Sequence, residues 1–585
     1  MARPRTAPPC VTPDPIFPIV TRLRADAWEL ALKDAGVWDE FSDIPDGLRK
    51  GFRCGLEDFS LSCTSIPPNH YTSQEDEEFV VSKYAEEIKL GRISQGYDPN
   101  TLFSLIGHFR TAPLAVITQD SGKRRVIVNH SYPKNTNGIN LEALPRNSTA
   151  HYIIDPTTTS VNTVIDSKKF QCAWGSFSEC YLLVADAPLG TEAAIFDVDA
   201  AFRNIPTHPS ARPFLAIMIA GLIHLDHVLN FGASPAPGIW GRVADAFVKI
   251  LLHHGIESVI KWVDDFVFLR YPTRQLKDGS FLYPYAADLI WRIAENVGWP
   301  WAPSKFVDFS STFMYIGFWW DLSSKTVQLP EKKKKKYLER ISTWSLRSLH
   351  TAKEADKIIG TLNHVSLVVP EGRSRLVSLY KFRSSFSPNS YNLVQHRLSK
   401  LAANDIEWWQ QKLQDDFVGI QIIRPPEPSN DMLFVDASSS WGIGLILNGK
   451  WLAWEFKRGW KSDGREIGWA EMVAVELAVR TLITAKITNR HIMLRSDNQG
   501  VVGALTAGRS RGTQQNAILR EIVKLIQEHN LWISAIWVAT HKNPADGPSR
   551  GIFPDRRSLH PFPPRIPHHL KNLVNQSVDY HDNRI

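Results

Sequence analysis

An aspartate pair, Asp264-Asp265, sits between two short apolar runs, Val259–Val263 and Phe266–Leu269. That spacing predicts two paired strands joined by a tight turn, with two carboxylates side by side on the turn. Far upstream, the run Ala193-Ala194-Ile195-Phe196 ends in Asp197-Val198-Asp199. Two strands that each deliver an aspartate to one sheet edge can hold a pair of magnesium ions. Such ions, roughly 3.5–4 Å apart, clamp the attacking and leaving oxygens of a phosphoryl displacement. On its own, Asp-Asp reads more readily as a solvated hairpin turn. The order of the segments around it favours the metal site.

A chain of 585 residues predicts several domains with real hydrophobic cores. Its 22% charged and 43% hydrophobic content argues against wholesale disorder. A net charge of +7 hints weakly at a polyanionic partner. Twenty tryptophans suit both packed cores and stacking on bases. The five cysteines, Cys10, Cys54, Cys63, Cys172 and Cys180, show no zinc spacing and read as reduced thiols. The proline-rich start has no apolar signal core, and the most apolar stretch, Phe214–Leu222, is too short for a bilayer. The expectation is a cytoplasmic or nuclear protein, neither secreted nor membrane-bound.

Residues 1–75 are rich in Pro and Thr and read as an N-terminal extension of uncertain order. From 76 to 325 apolar strands alternate with helical patterns, as in an α/β domain. Residues 326–430 begin with the lysine run 332–336, continue as helices and end in the linker Ile423–Ser429, whose prolines break regular structure. A second compact unit spans 431–550, with strands expected at Met432–Asp436, Gly442–Leu447, Lys450–Phe456, His491–Asp497 and Leu531–Val538. Asn448-Gly449 is a preferred hairpin turn, and helices are expected at Ala470–Ala485 and Gln514–Glu528. Residues 551–585 read as a loose tail.

Four segments of the first domain carry a specific resemblance. Phe196-Asp197-Val198-Asp199-Ala200-Ala201-Phe202-Arg203-Asn204-Ile205-Pro206 resembles the first catalytic motif of retroelement reverse transcriptases. Phe231–Trp240 is similar to their template-gripping segment, Trp262-Val263-Asp264-Asp265 to their Y-x-D-D box, and Tyr315-Ile316-Gly317-Phe318 to their primer-grip strand. The order is the family's over roughly residues 85–325. The resemblance implies that Asp197 and Asp264 are the main metal ligands and that Asp265 supports them. It places Lys123 and Arg125 on a fingers hairpin that grips the incoming triphosphate. Lys305 falls near the leaving pyrophosphate, and Phe202 forms an aromatic gate beneath the incoming sugar. Two positions depart from the pattern: Trp262 replaces the usual tyrosine, and Thr118-Gln119 stand where relatives carry lysines. Asp120-Ser121-Gly122 matches the aspartic protease triplet, but its basic, polar flanks suit the fingers hairpin better.

In the second unit Asp436, Glu471, Asp497 and Asp546 follow the order strand, helix, strand, post-strand. They resemble the active site of the ribonuclease H family, and a carboxylate at the edge of an apolar helix stripe calls for a partner such as a divalent metal. Ser496-Asp497-Asn498 and Asn543–Arg550 are similar to signatures of its retroelement versions. His541 reads as a plain loop histidine. The stretch Asp356–His364 resembles the family's thumb or connection region, and the lysine run fits a nucleic-acid contact, a nuclear signal or a solvated helix face.

The resemblance therefore implies an α/β multidomain protein: a right-hand polymerase of fingers, palm and thumb, followed by a ribonuclease H-like α/β domain. It implies an RNA-directed DNA polymerase and nucleotidyltransferase with a hybrid-cutting endonuclease, from a retrotransposon of the LTR-related, tyrosine-recombinase branch. Mg²⁺ is the expected cofactor, with Mn²⁺ as a substitute. RNA and DNA template-primer and deoxynucleoside triphosphates are the expected partners. With no zinc-type integrase signature and a short tail, the expectation is that integration is supplied by another chain or that this chain is a fragment. The rival reading is a domesticated or inactive nucleic-acid-binding remnant that keeps the fold.

Overall fold

The apolar runs flanking Asp264-Asp265 pair as antiparallel strands, Val259 opposite Phe268 and Trp262 opposite Asp265. The computed structural model describes residues 10–11, 14–119, 122–134, 152–387 and 393–576; Asp120 and Ser121 of the protease-like triplet lie outside the described residues. Two units emerge, Met1–Ile316 with Asp321–Ser324, and Gly317–Trp320 with Lys325–Ile585.

In the first unit, helices α1 (Ala25–Asp34), α2 (Asp43–Lys50) and α3 (Gln74–Lys89) precede a hairpin of β1 (Leu114–Thr118) and β2 (Arg124–Val128). Strand β3 (Glu192–Asp197), helix α4 (Ala236–His253), strands β4 (Ser258–Trp262) and β5 (Asp265–Arg270), helix α5 (Ala287–Val297) and strand β6 (Val307–Ser310) follow. The sheet order is β4-β5-β3-β6, all antiparallel, so the two aspartate-bearing strands are neighbours. The proline at the start of α4 is pre-set for a helical first turn. The helix buries Trp240, Val243, Phe247 and Ile250 against Phe196 and Phe266 of the sheet and against Trp299 and Trp301.

That core also contains Trp28, Leu32, Ile44 and Leu48 of α1 and α2. The Trp28 ring lies 6.1 Å from both Phe247 and Trp299. The segment from about residue 20 onward, expected as an extension of uncertain order, is thus part of the first unit's core. Its apolar residues are too sparse to predict a core of their own, and they find one supplied by α4 and α5.

The second unit starts with α6 (Glu331–Ser342), α7 (Ala352–Val365) and α8 (Lys400–Gln414). Strands β7 (Leu433–Ala437), β8 (Gly442–Leu447) and β9 (Lys450–Phe456) then form the expected meander. Asn448 and Gly449 both take positive φ, as a two-residue hairpin turn of the favoured hand requires. After α9 (Ile467–Thr484) come β10 (His491–Ser496), α10 (Gln499–Ala507), α11 (Thr513–Glu528), β11 (Trp532–Trp537), α12 (Asp546–Ser549) and β12 (Val574–Gln576). The sheet order is β11-β10-β7-β8-β9-β12, with β7, β10 and β11 mutually parallel and the remaining pairs antiparallel. An antiparallel meander extended by two parallel strands reached through helices is a ribonuclease H-like topology. The fold class is as expected: α/β and multidomain, with a palm-type sheet in one unit and a ribonuclease H-like sheet in the other.

Helix α9 is apolar on nearly every face because it lies between the sheet and α11. A buried carboxylate, Asp405 on α8, accepts from Arg375 at 3.1 Å, Arg520 of α11 at 3.0 Å and Ser378 at 2.8 Å. This network ties the helices of 326–430 to those of 431–550 within one unit, although Ile423–Ser429 looks like a separating linker.

The stretch 551–585, read from sequence as loose, is not so through residue 576. Strand β12 pairs with β9, and Leu570 and Val574 are buried in the sheet's core. His569 Nε2 meets the fully buried Glu476 of α9 at 2.9 Å. Few apolar residues scattered among prolines leave no periodicity to read, yet two of them fill the core. Leu570→Ala should therefore destabilise this unit by about 2–4 kcal/mol in urea unfolding; an unchanged midpoint would show that the tail is not part of the core.

Candidate active sites

In the first unit, the palm-type sheet brings the expected aspartates together. Asp197 ends β3 and pairs in register with Asp265, the first residue of β5. The turn between β4 and β5 is tightly held. Val263 adopts φ +53°, a costly conformation for a β-branched residue. Its carbonyl accepts the Trp240 indole N–H at 2.7 Å, and the Asp264 carbonyl accepts Val198 N–H at 2.8 Å. Core packing thus fixes the turn that carries Asp264.

Burial, then the neighbouring Asp264 and Asp197, push the Asp265 carboxyl up to about 6. The contact between the two carboxylates acts to raise Asp265 and to lower Asp197. Burial also raises Asp197, even though the Lys305 ammonium sits 2.6 Å from its Oδ1 and opposes the shift. Two adjacent carboxylates withdrawn from water, with a lysine against one of them, form a donor set that suits a hard divalent cation.

The other expected residues are distributed around this edge. Phe202 is 6% exposed; its ring packs 4.9 Å from the half-exposed Phe231 and 6.4 Å from Trp240, so it belongs to the core and borders its surface. Lys123 and Arg125 are exposed on the β1–β2 hairpin, and neither makes an ion pair among the described residues. Arg124 between them is committed elsewhere, paired with Asp76 and lying 4.5 Å over the Phe79 ring. Trp262 is exposed beside the turn.

In the second unit Asp436 on β7, Glu471 on α9 and Asp497 just beyond β10 each place a carboxylate oxygen within 4.8 Å of the others. Burial, then Asp436 and Asp497, raise Glu471 to about 9, and burial raises Asp436 as well. Glu471 Oε2 is buried with no hydrogen-bond partner. An orphaned carboxylate oxygen facing two further carboxylates fits Mg²⁺ or Mn²⁺, which prefer all-oxygen donors.

Neutral donors hold these ligands in place. Ser549 Oγ donates to Asp436. Asn543 Nδ2 donates to the Val435 carbonyl at 3.0 Å and reaches Asp497 Oδ1 at 3.5 Å. Asn498, which caps α10, lies against Glu471 and opposes the upward push of burial on its carboxyl. The Trp537 indole N–H donates to the Asp497 carbonyl at 3.0 Å. Asp546, the fourth expected carboxylate, lies outside the three-carboxylate cluster. Its Oδ1 accepts from Arg550 at 2.9 Å, while its charge adds to the upward pressure on Asp436. His541 is exposed on a short 3₁₀ turn.

Asn543 and Ser549 fall in the signature Asn543–Arg550, which assigned them no role, and Gly444 was not singled out from sequence. Gly444 stands opposite Asp436, and a Cβ there would meet the Ala545 carbonyl at 2.3 Å and Ser549 N at 2.6 Å. Its missing side chain lets α12 lie against the sheet and bring Ser549 to Asp436. A glycine inside a strand is the one sequence signal of such close approach.

No protein-family model matches the sequence, and no curated protein does. Solved structures that resemble the chain include a foamy viral protease-reverse transcriptase dRH in complex with double-stranded DNA, at 12% identity, covering 87% of this chain and 81% of that one, with a TM-score of 0.45. Two more are foamy viral protease-reverse transcriptase structures. The one with an RNA/DNA hybrid is 12% identical, covers 86% of this chain and 57% of that one, and has a TM-score of 0.44. The one with double-stranded DNA is 13% identical, with coverage of 81% and 85% and a TM-score of 0.43. No helix among the described residues is long and apolar enough to cross a membrane.

The raised carboxyls set a pH signature. With Glu471 at about 9 when folded and near 4.5 when unfolded, the folded metal-free protein holds a proton that the unfolded chain releases. Stability from this group is full below about pH 4.5 and declines as pH rises toward about 9. A cation displaces that proton, so Mg²⁺ should raise the melting temperature by several degrees, more at about pH 8 than at about pH 6. Glu471→Gln should flatten the metal-free decline and remove most of the Mg²⁺ shift. Equal Mg²⁺ shifts in the two proteins would exclude Glu471 as a ligand.

Proposed function

We propose that this chain is an RNA-directed DNA polymerase with a C-terminal ribonuclease H activity, the enzyme of a retroelement. The observation that supports it is the presence, in one chain, of two carboxylate sets at strand ends, one on a palm-type sheet and one on a ribonuclease H-like sheet. The tyrosine-recombinase branch rests on the motif resemblance. Template-primer of RNA and DNA and deoxynucleoside triphosphates are the partners this reading requires, in the cytoplasm or nucleus.

In the polymerase site, Asp197, Asp264 and Asp265 would hold Mg²⁺, with Mn²⁺ as a substitute. In the nuclease site, Asp436, Glu471 and Asp497 would do so, with Asp546 at the margin. The bound ions would supply charge neutralisation at the attacking and leaving oxygens of a phosphoryl displacement. The protein's own groups set the rest. Lys305 offers its ammonium beside Asp197, where negative charge collects on the leaving pyrophosphate. Lys123 and Arg125 present cations on the hairpin to the triphosphate. Phe202, braced by Trp240 and Phe231, would collide with a 2′-hydroxyl where the motif resemblance places the incoming sugar. In the nuclease site Ser549, Asn543 and Asn498 orient the carboxylates, and His541 lies on the loop that leads to Asp546.

Separate mutants test the division of labour. Asp264→Asn should lower primer extension on the order of 10³-fold or more while leaving template-primer binding and hybrid cleavage intact. Asp497→Asn should abolish cleavage of RNA in a hybrid and spare synthesis. Loss of both activities in either folded mutant would contradict two independent sites.

Sugar selection is tested at Phe202. Phe202→Val should cost about 1–3 kcal/mol of stability, since the ring is largely buried, and should raise ribonucleotide incorporation relative to deoxynucleotide. Unchanged discrimination in a folded Phe202→Val protein would remove Phe202 from the site.

A further inference from the structure

The segment Val20–Arg24 is threaded between the catalytic loop and the loop after α5. Thr21 Oγ1 donates to the Asn204 carbonyl at 2.6 Å and accepts Leu23 N–H at 3.1 Å. Arg24 N–H donates to the Val297 carbonyl at 3.0 Å. The Arg22 carbonyl fits over Gly298, whose φ is +75° and whose Cβ, if present, would lie 2.1 Å from that oxygen. The Arg22 side chain then turns to the loop after β3, where Nη1 donates to Asp199 Oδ2 at 3.0 Å. Arg22 is 13% exposed and Asp199 49% exposed, and Arg22 Nε is buried without a hydrogen-bond partner.

Asp199 has a definite place relative to the catalytic carboxylates. The chain stays extended past β3: Ala302 N–H donates to the Asp197 carbonyl and Asp199 N–H to the Pro300 carbonyl, each at 2.8 Å, and Val198 bridges to Trp301. In extended chain, residues two apart project to the same face. Val198 is buried in the core, so Asp197 and Asp199 share the face that looks away from it. Asp199 therefore adds a further carboxylate to the edge that already carries Asp197, Asp264 and Asp265, and Asn204 Nδ2 pins its backbone by donating to its carbonyl at 2.8 Å.

We infer that Arg22 is a positioning residue of the polymerase site: it neutralises Asp199 and ties the catalytic loop to the N-terminal arm, so that a polyanionic triphosphate can approach the aspartate edge. The inference rests on the polymerase reading above. A partly desolvated, uncompensated carboxylate on that face repels the incoming nucleotide, by an amount that corresponds to a change on the order of tenfold in its apparent affinity. The catalytic carboxylates themselves are untouched, so the effect falls on KM for the nucleotide rather than on kcat.

The test is steady-state primer extension on an RNA template by the full chain, with KM for the deoxynucleotide and kcat measured separately. Arg22→Ala should raise KM on the order of tenfold with kcat within about twofold. Arg22→Lys should recover most of the loss, and the double variant Arg22→Ala with Asp199→Asn should return KM close to the wild-type value, because the charge needing cancellation is gone. Asp199→Asn alone, which leaves the arm in place, should lower KM and carries the test if Arg22→Ala does not fold. An active wild type with unchanged KM in Arg22→Ala overturns the inference and leaves the polymerase reading standing. So does a raised KM that Asp199→Asn does not rescue, since that would be a packing effect. A wild type without any extension overturns the polymerase reading, and the inference falls with it.

Discussion

Carboxylates crowded together away from water repel one another, and a fold that gathers them must hold them by other means. Both units do so in the same way, by seating each acid at or near the end of a strand, or on a helix, whose backbone is locked by a large apolar core. Phe196, Trp240, Phe266 and Trp301 perform this for Asp197 and the Asp264-Asp265 turn. The sheet and α9 perform it for Asp436, Glu471 and Asp497. Burial first, and the neighbouring carboxylates second, push Asp265 and Glu471 upward, and a divalent cation is the group that relieves this pressure.

The two sites relieve it differently before any cation arrives. At the polymerase-type edge the protein supplies its own positive charge, Lys305 against Asp197 and Arg22 against Asp199. At the cluster of the second unit the neutral side chains Ser549, Asn543 and Asn498 flank the three gathered acids, and Arg550 is engaged with Asp546. On the proposed reading, the cationic side chains at the polymerase-type edge suit a small, highly charged ligand.

Features that depend on local pattern were legible in the sequence: the strands ending in Asp197 and Asp436, the hairpin carrying Asp264-Asp265, the Asn448-Gly449 turn and the apolar helix bearing Glu471. Each is set by periodicity of two or 3.6 and by turn chemistry acting over a few residues. What the sequence concealed depends on partners distant along the chain. The apolar residues of α1 and α2 are sparse and gain meaning only against α4 and α5. Leu570 and Val574 are isolated in a proline-rich stretch and matter because β9 offers an edge. Arg22 is one arginine among many until it is seen 177 positions from its carboxylate. Gly444 carried a readable signal, a glycine inside a strand, but only the structure shows that α12 is what approaches it.

The central claim is that one chain builds two metal-loaded phosphoryl-transfer sites, one for synthesis on an RNA template and one for removal of that RNA. The most direct test follows both strands in one reaction, a labelled DNA primer on a differently labelled RNA template, with all four deoxynucleotides and either Mg²⁺ or a chelator. The account predicts that the primer lengthens and the RNA shortens within the growing hybrid, both only with Mg²⁺. Intact primer and intact RNA in the presence of Mg²⁺, from a folded protein that binds the template-primer, would contradict it.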